Sequence, residues 1–168
     1  MKEIRLDIGC GLVRRPGFVG IDKVIKVKPD ILADIEYGLP IKSNSLNFVY
    51  SSHTMEHIDN FTNLMEEIYR VCKPGAIVEI VVPYYASSSA HMDPTHVRFF
   101  TEETFRCCFS KSRKSDRLDY DFKCNFEQIE VKYTYLPQFR FFPFRRILGH
   151  LLLNVITEIS FKLRVVKN

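Results

Sequence analysis

The feature that most constrains this chain is a set of short β-type runs, each ending in a glycine, an acid or a polar residue. Residues 4–8 run into Gly9-Cys10-Gly11. Residues 18–21 end at Asp22, residues 30–33 end at Asp34, and residues 46–51 lead into Ser52 and His53. A helical pattern follows. Phe61, Leu64, Met65, Ile68 and Val71 recur at helical spacing, with Glu66 and Glu67 on the other face. Lys73-Pro74-Gly75 stops that helix, and residues 76–82 form a dense apolar β run closed by Pro83. Strands buried on both faces and interleaved with helices predict an α/β sheet that is mostly parallel. In such sheets ligands bind outside the carboxyl ends of the strands. The polar residues at those ends are therefore expected to share one crevice.

The second half is read the same way. Thr101 is a good N-cap for a helix over residues 102–109: its hydroxyl can accept a free N–H, and the early glutamates suit the helix dipole. Residues 126–136 alternate as a strand, residues 147–159 read as a helix, and residues 161–167 alternate again as a last strand. A chain of 168 residues fits one domain, 1–168. No signal peptide precedes the first strand, and no apolar run reaches the roughly 18–20 residues of a membrane span. The five cysteines are odd in number and form no C-x-x-C pair, which predicts reduced thiols and a cytoplasmic protein. Cys107-Cys108 is expected in the core.

The Gly9 and Gly11 pair lets a ligand approach the backbone closely. A carboxylate at Asp22, ending the second strand, can accept both ribose hydroxyls of a nucleoside. Asp34 can accept from an adenine amino group. Together these residues describe a nucleoside pocket. A dinucleotide site is disfavoured, because Arg14 stands at the third glycine position of G-x-G-x-x-G and Asp22 comes early. A P-loop is absent.

Read in order, LDIGCG, GID, ADIEYGLPIKSNSLNFVYSSHTMEHI, RVCKPGAIVEIVVP and DPTHVRFFTEETF resemble the class I S-adenosylmethionine-dependent methyltransferases, in particular the group called methyltransferase type 11. The likeness covers roughly residues 4–105, and FKLRVVK is similar to the last, antiparallel strand of that fold. The resemblance implies a Rossmann-like three-layer sandwich. Its sheet is seven-stranded and mostly parallel, of order 3-2-1-4-5-7-6, with an antiparallel last strand. It implies S-adenosyl-L-methionine as cofactor. Asp7, Gly9 and Gly11 match the loop around the methionine part, with Cys10 inside that loop as small filler. Asp22 matches the ribose acid, with Lys23 beside it. Asp34 and Ile35 match the adenine contacts, and Ser52 and His53 match the segment bordering cofactor and substrate. Three departures stand out. Only residues 12–19 separate Gly11 from Gly20, which predicts a loop or single turn in place of the first helix, with Arg14 or Arg15 to hold the methionine carboxylate. Asn47 replaces a frequent aspartate. The chain begins at strand one, without the helices that often cover the substrate.

His53, Glu56 and His57 also spell H-x-x-E-H, the inverted zinc-peptidase motif, which needs a helix to bring both histidines to one face. Here a strand runs straight into the motif, so His53 is expected in the pocket, and Glu56 and His57 are expected to bond within the turn. No metal is assigned. A zinc hydrolase and a non-catalytic cofactor-binding module or partner subunit are the alternatives to the methyltransferase. Residues 87–101 follow the fifth run and carry His91, Asp93 and His96. His91 or His96 is the candidate general base for transfer to a hydroxyl, against a purely structural role for both. His91, Asp93 and His96 lack a recognised metal-ligand spacing. The tail is basic, with Lys132, Arg140, Arg145, Arg146, Lys162, Arg164 and Lys167 against Glu158. Residues 132–160 read as a basic aromatic lid or cover. Within them, 139–153 could rest on a membrane or a lipid-linked substrate, or pair two copies as a homodimer. A net charge of +4 is too mild to argue nucleic acid. The expected acceptor is a small molecule or a glycan hydroxyl.

Overall fold

The computed structural model describes residues 3–110 and 122–167, without the Cys108 side chain. Seven strands form one sheet: β1 (Arg5–Ile8), β2 (Val19–Asp22), β3 (Ile31–Leu32), β4 (Leu46–Ser52), β5 (Cys72–Pro83), β6 (Phe126–Tyr135) and β7 (Ile156–Val165). Their order is β3-β2-β1-β4-β5-β7-β6, as the resemblance implied. β1 through β5 pair in parallel, and β7 runs antiparallel to both β5 and β6. The helices are α1 (Phe61–Val71), α2 (Thr104–Cys108) and α3 (Arg145–Leu151).

The two faces of the sheet differ. Side chains aligned across a sheet point the same way. Ile8, Ser51, Ile80 and Phe161 are in register, and all four are buried. Against that face, Phe105 of α2 meets Phe161 edge-on at 4.6 Å, and Phe61 of α1 meets Phe105 at 5.9 Å. The spacing that marked α1 in the sequence is its buried stripe, Phe61, Leu64, Met65, Ile68 and Val71. Each such side chain contributes roughly 1.5–3 kcal/mol on burial. The opposite face carries Asp7, Tyr50, Glu79 and Lys162 in register. The links joining β1, β2, β3 and β4 contain no α-helix, so this face is screened by the loop between β1 and β2. There Phe18 sits edge-on to Phe48 at 5.7 Å, and the Arg15 guanidinium lies 3.6 Å from the Tyr50 ring centroid.

Three expectations need correction. The helix read over 147–159 stops at Leu151, and β7 begins at Ile156. The apolar run there fits both periods, but only a strand at Ile156 can satisfy the backbones of β5 and β6 together. Asn154, at φ 61°, turns the chain between the two elements. The helix expected over 102–109 starts at Thr104. Thr101 instead builds a preceding turn: its hydroxyl accepts the Glu103 N–H at 3.4 Å, and its own N–H donates to Thr104 Oγ1 at 3.0 Å. Cys107 is exposed rather than in the core, because α2 turns Phe105 and Phe109 inward.

Candidate functional site

The crevice lies where β1, β2 and β4 end. The Gly9 and Cys10 N–H groups both donate to the Ile21 carbonyl, at 2.9 and 3.2 Å, which folds the chain back over β2. Gly9 and Gly11 have φ of +67° and +55°, in the left-handed region that favours glycine. A Cβ on Gly11 would point into open space. The Asp22 carboxylate joins the two strand ends, accepting the Gly11 N–H at 3.0 Å and the Val24 N–H at 2.9 Å. A carboxylate offers about four lone-pair sites, so each oxygen can still accept a hydroxyl. The crevice holds about 510 Å³, within the range of roughly 300–1,000 Å³ usual for small ligands. Asp7, Gly9, Cys10, Gly11 and Ser52 line it together with Tyr50, Arg14 and Arg15.

Charge is arranged around Asp7. Its carboxyl is buried and its pKa is raised by that burial, against the pull of Arg15 and Arg14. Arg14 is committed elsewhere, to Asp30 and, at 3.3 Å, to the Cys10 sulfur. Burial raises the Cys10 thiol pKa. Arg15 stacks on Tyr50 and has no carboxylate ion pair among the described residues.

The other expected cofactor residues occupy different positions. Asp34 caps the 3₁₀ turn Ile35–Tyr37, accepting the Glu36 N–H at 3.1 Å, and the Ile35 side chain is buried in the core. Lys23 is exposed beside Asp22. His53, at φ 51°, turns away from the crevice lining: its Nε2 lies 2.9 Å from Glu158 on β7 and its Nδ1 lies 3.4 Å from Glu56. Glu56 first, and Glu158 with it, raise the His53 pKa against partial burial.

The H-x-x-E-H letters do not share a helix. β4 ends at Ser52, and Met55–His57 is a single 3₁₀ turn. Glu56 does have a local neighbour in His53 Nδ1, at 3.4 Å, but His57 makes no side-chain bond within that turn. Both side chains face the loop after β5, where the His57 Nδ1–H donates to Thr95 Oγ1 at 2.9 Å. Glu56 is 1% exposed, and neither of its oxygens has a hydrogen-bond partner. In the same loop, the Asp93 carboxylate accepts the Thr95 N–H and hydroxyl, which hold its pKa down. His91 is exposed, stacks on Phe99 and donates from Nε2 to the Tyr85 carbonyl at 2.9 Å. His96 turns inward, 9% exposed, with Nε2 4.0 Å from Glu56. Sequence reasoning missed Tyr50, Thr54 and Thr95. Tyr50 was findable, since two-residue alternation puts it on the same face as Ser52. Thr54 and Thr95 carry no sequence signal.

A second hollow of about 420 Å³ lies between Tyr133, Thr134, Tyr135, Pro137, Arg140 and Arg145. Beside it, Phe141, Phe144, Leu151 and Leu153 are each at least 74% exposed.

Residues 6–80 match the family described as methyltransferase domain. No curated protein sequence matches the chain. Among solved structures, phosphoethanolamine N-methyltransferase 2 of Haemonchus contortus, in complex with S-adenosyl-L-methionine, superposes with a TM-score of 0.61 at 16% identity, over 99% of this chain. The chain spans about half of that protein, 50% of its length. A SAM-dependent methyltransferase from Archaeoglobus fulgidus superposes at 0.60 with 20% identity, over 96% of this chain and 86% of that one. The [4+2]-cyclase SpnF superposes at 0.64 with 15% identity, over 99% and 76%. With the glycine loop, the Asp22 carboxylate and the β3-β2-β1-β4-β5-β7-β6 sheet already in place, residues 6–80 are similar to the methyltransferase domain family, and the chain has the fold of S-adenosylmethionine-dependent methyltransferases.

Proposed function

We propose that this chain binds S-adenosylmethionine in the crevice beside Gly9 and Gly11 and methylates a hydroxyl of a small molecule or glycan. The observation that carries the reading is the Asp22 carboxylate, held by the Val24 N–H and by the N–H of Gly11, which itself lines the 510 Å³ crevice. Asp22 accepts the ribose hydroxyls, and Asp34 keeps a carboxylate oxygen for the adenine amino group. Arg15 is the cation left to receive the methionine carboxylate, since Arg14 is held by Asp30. The bound sulfonium supplies an already activated methyl group. The protein then has to align the acceptor and exclude water, and orientation alone can remove about 7–11 kcal/mol of barrier. Of the two candidate bases we assign His91: its Nε2–H is spent on Tyr85, which leaves the lone pair on Nδ1. His96 faces Glu56 instead.

The exposed Phe141, Phe144, Leu151 and Leu153, flanked by Arg140 and Arg145, support an acceptor with an apolar, lipid-like part. No helix among the described residues is long and apolar enough to cross a membrane, so such contact would be peripheral.

Calorimetry with S-adenosylmethionine and S-adenosylhomocysteine tests the cofactor. Both should bind, and Asp22→Ala should weaken both; binding of neither sinks the proposal. A second reading, a cofactor-binding module without turnover, draws on the missing first helix. Turnover against a panel of hydroxylated acceptors decides between them, with His91→Ala expected to slow the reaction and to leave cofactor affinity unchanged.

A further inference from the structure

Beneath the turn that follows β4, Glu56, His57 and His96 bring one ligand atom each to within 4.8 Å of the others. The chemistry of each atom can be read from its neighbours. The Thr95 hydroxyl donates its only proton to Asp93 at 2.6 Å. It must therefore accept from His57 Nδ1–H at 2.9 Å, and the Thr95 carbonyl, 3.3 Å from the same nitrogen, can only accept as well. His57 is thereby fixed as the Nδ1–H tautomer, with its lone pair on Nε2. His96 Nδ1 faces the Ala90 carbonyl at 3.1 Å, another pure acceptor, so its lone pair also lies on Nε2. That Nε2 is aimed at Glu56 Oε1, 4.0 Å away. The two rings meet edge to face, 4.7 Å apart.

At the centre stands a carboxylate with 1% exposure and no hydrogen-bond partner on either oxygen. A buried carboxylate left in this way is costly unless something neutralises it. His53 Nδ1, 3.4 Å from Oε1, is one cationic neighbour when that ring is protonated. The His96 lone pair beside this carboxylate does not relieve its charge, and neither does the neighbouring His57; a carboxylate clustered with two neutral imidazoles is what a cation needs. Metal-bound histidines almost always donate their second ring N–H to a carbonyl, carboxylate or water. Here both do so, through Thr95 with Asp93 behind it, and through Ala90.

We propose that Glu56, His57 and His96 bind a divalent transition-metal ion of the zinc class, which pins the loop after β5 to the end of β4. Imidazole with carboxylate suits zinc, whose ligand bonds are about 2.0–2.2 Å, and three protein ligands leave one position of a tetrahedron open. The role is to order the loop that carries His91. It does not depend on the methyltransferase reading, and ion binding is measured apart from cofactor binding.

The test is titration of chelator-treated full-length protein with Zn²⁺ by calorimetry, with thermal unfolding and the visible spectrum of the Co²⁺ form alongside. One ion per chain should bind and raise the melting temperature. The Co²⁺ form should absorb in the visible without a thiolate charge-transfer band, which separates this site from the cysteines. Glu56→Gln and His96→Asn should each weaken Zn²⁺ binding by at least about 10-fold, the loss that removal of even an outer partner brings. Should either fail to fold, His57→Gln on its partly exposed ring serves in its place, checked by circular dichroism. No stoichiometric binding by the unaltered protein, or equal affinity in the variants, overturns the site and leaves Glu56 paired with His53 alone.

Discussion

Thr54 packs so closely on the backbone of Gly9 that a Cβ there would lie 2.0 Å from its Oγ1. Thr54 follows β4 and Gly9 follows β1, so this contact joins the glycine loop to the next wall of the crevice. Gly9→Ala therefore combines a left-handed backbone penalty of about 1–2 kcal/mol with an overpacking cost of about 1–3 kcal/mol. Gly11→Ala incurs only the first, because nothing lies within 4 Å of its Cβ. Urea denaturation of the two variants should rank Gly9→Ala clearly lower. Equal stabilities would mean that Thr54 yields freely.

Arg15 should matter more for the cofactor than for the fold. Its stacking on Tyr50 and Phe18 is worth about 0.5–2 kcal/mol. If it receives the methionine carboxylate, Arg15→Ala weakens S-adenosylhomocysteine binding by about 10-fold, or 1.4 kcal/mol, and leaves adenosine binding unchanged. An equal loss for both ligands would place Arg15 outside the methionine end.

Glu67 makes stability depend on pH. Its carboxylate is bound by Arg70 at 2.7 and 2.8 Å and accepts the Leu39 N–H at 2.8 Å. Arg70 first, then the Leu39 N–H, hold its pKa below the ordinary 4.5 despite partial burial. A depressed carboxylate pKa adds stability that is fully present above the unfolded value and is lost as pH falls through the folded one. Glu67→Gln should cost about 1–3 kcal/mol at neutral pH. The gap between the two proteins should close as pH drops below 4.5; a constant gap would contradict the pairing.

Gly149 in α3 lies under Ile156, the first residue of β7, and a Cβ there would meet its Cδ1 at 2.4 Å and its Cγ1 at 2.7 Å. Gly149→Ala should destabilise by about 1–3 kcal/mol. Ile156→Val in the same chain should recover part of that loss, giving a coupling energy of about 0.5 kcal/mol or more in a double-mutant cycle. Strict additivity would show that the helix shifts instead.

The outcomes differ element by element. The buried stripe of α1 (Phe61, Leu64, Met65, Ile68 and Val71) was legible, because it has one period and burial follows it. The loop between β1 and β2 was legible as helix-free from the few residues between Gly11 and Gly20. The run through residues 147–159 was not, since its leucines and isoleucines satisfy helix and strand alike. The difference is made by β5 and β6, which flank β7 and need its backbone groups.

The site divides along the same line. The sequence alone determined the strand ends, the glycines at left-handed positions and the acid at Asp22, because local chemistry and short spacings carry those signals. It left H-x-x-E-H as a choice between a zinc helix and a pocket wall. Tertiary structure replaced both with a third arrangement: His53 reaches Glu158 on β7, while Glu56 and His57 meet His96 from the loop after β5. Which side chains share a buried space depends on which strands lie side by side, and a parallel sheet with an inserted antiparallel strand brings together residues that no spacing along the chain connects.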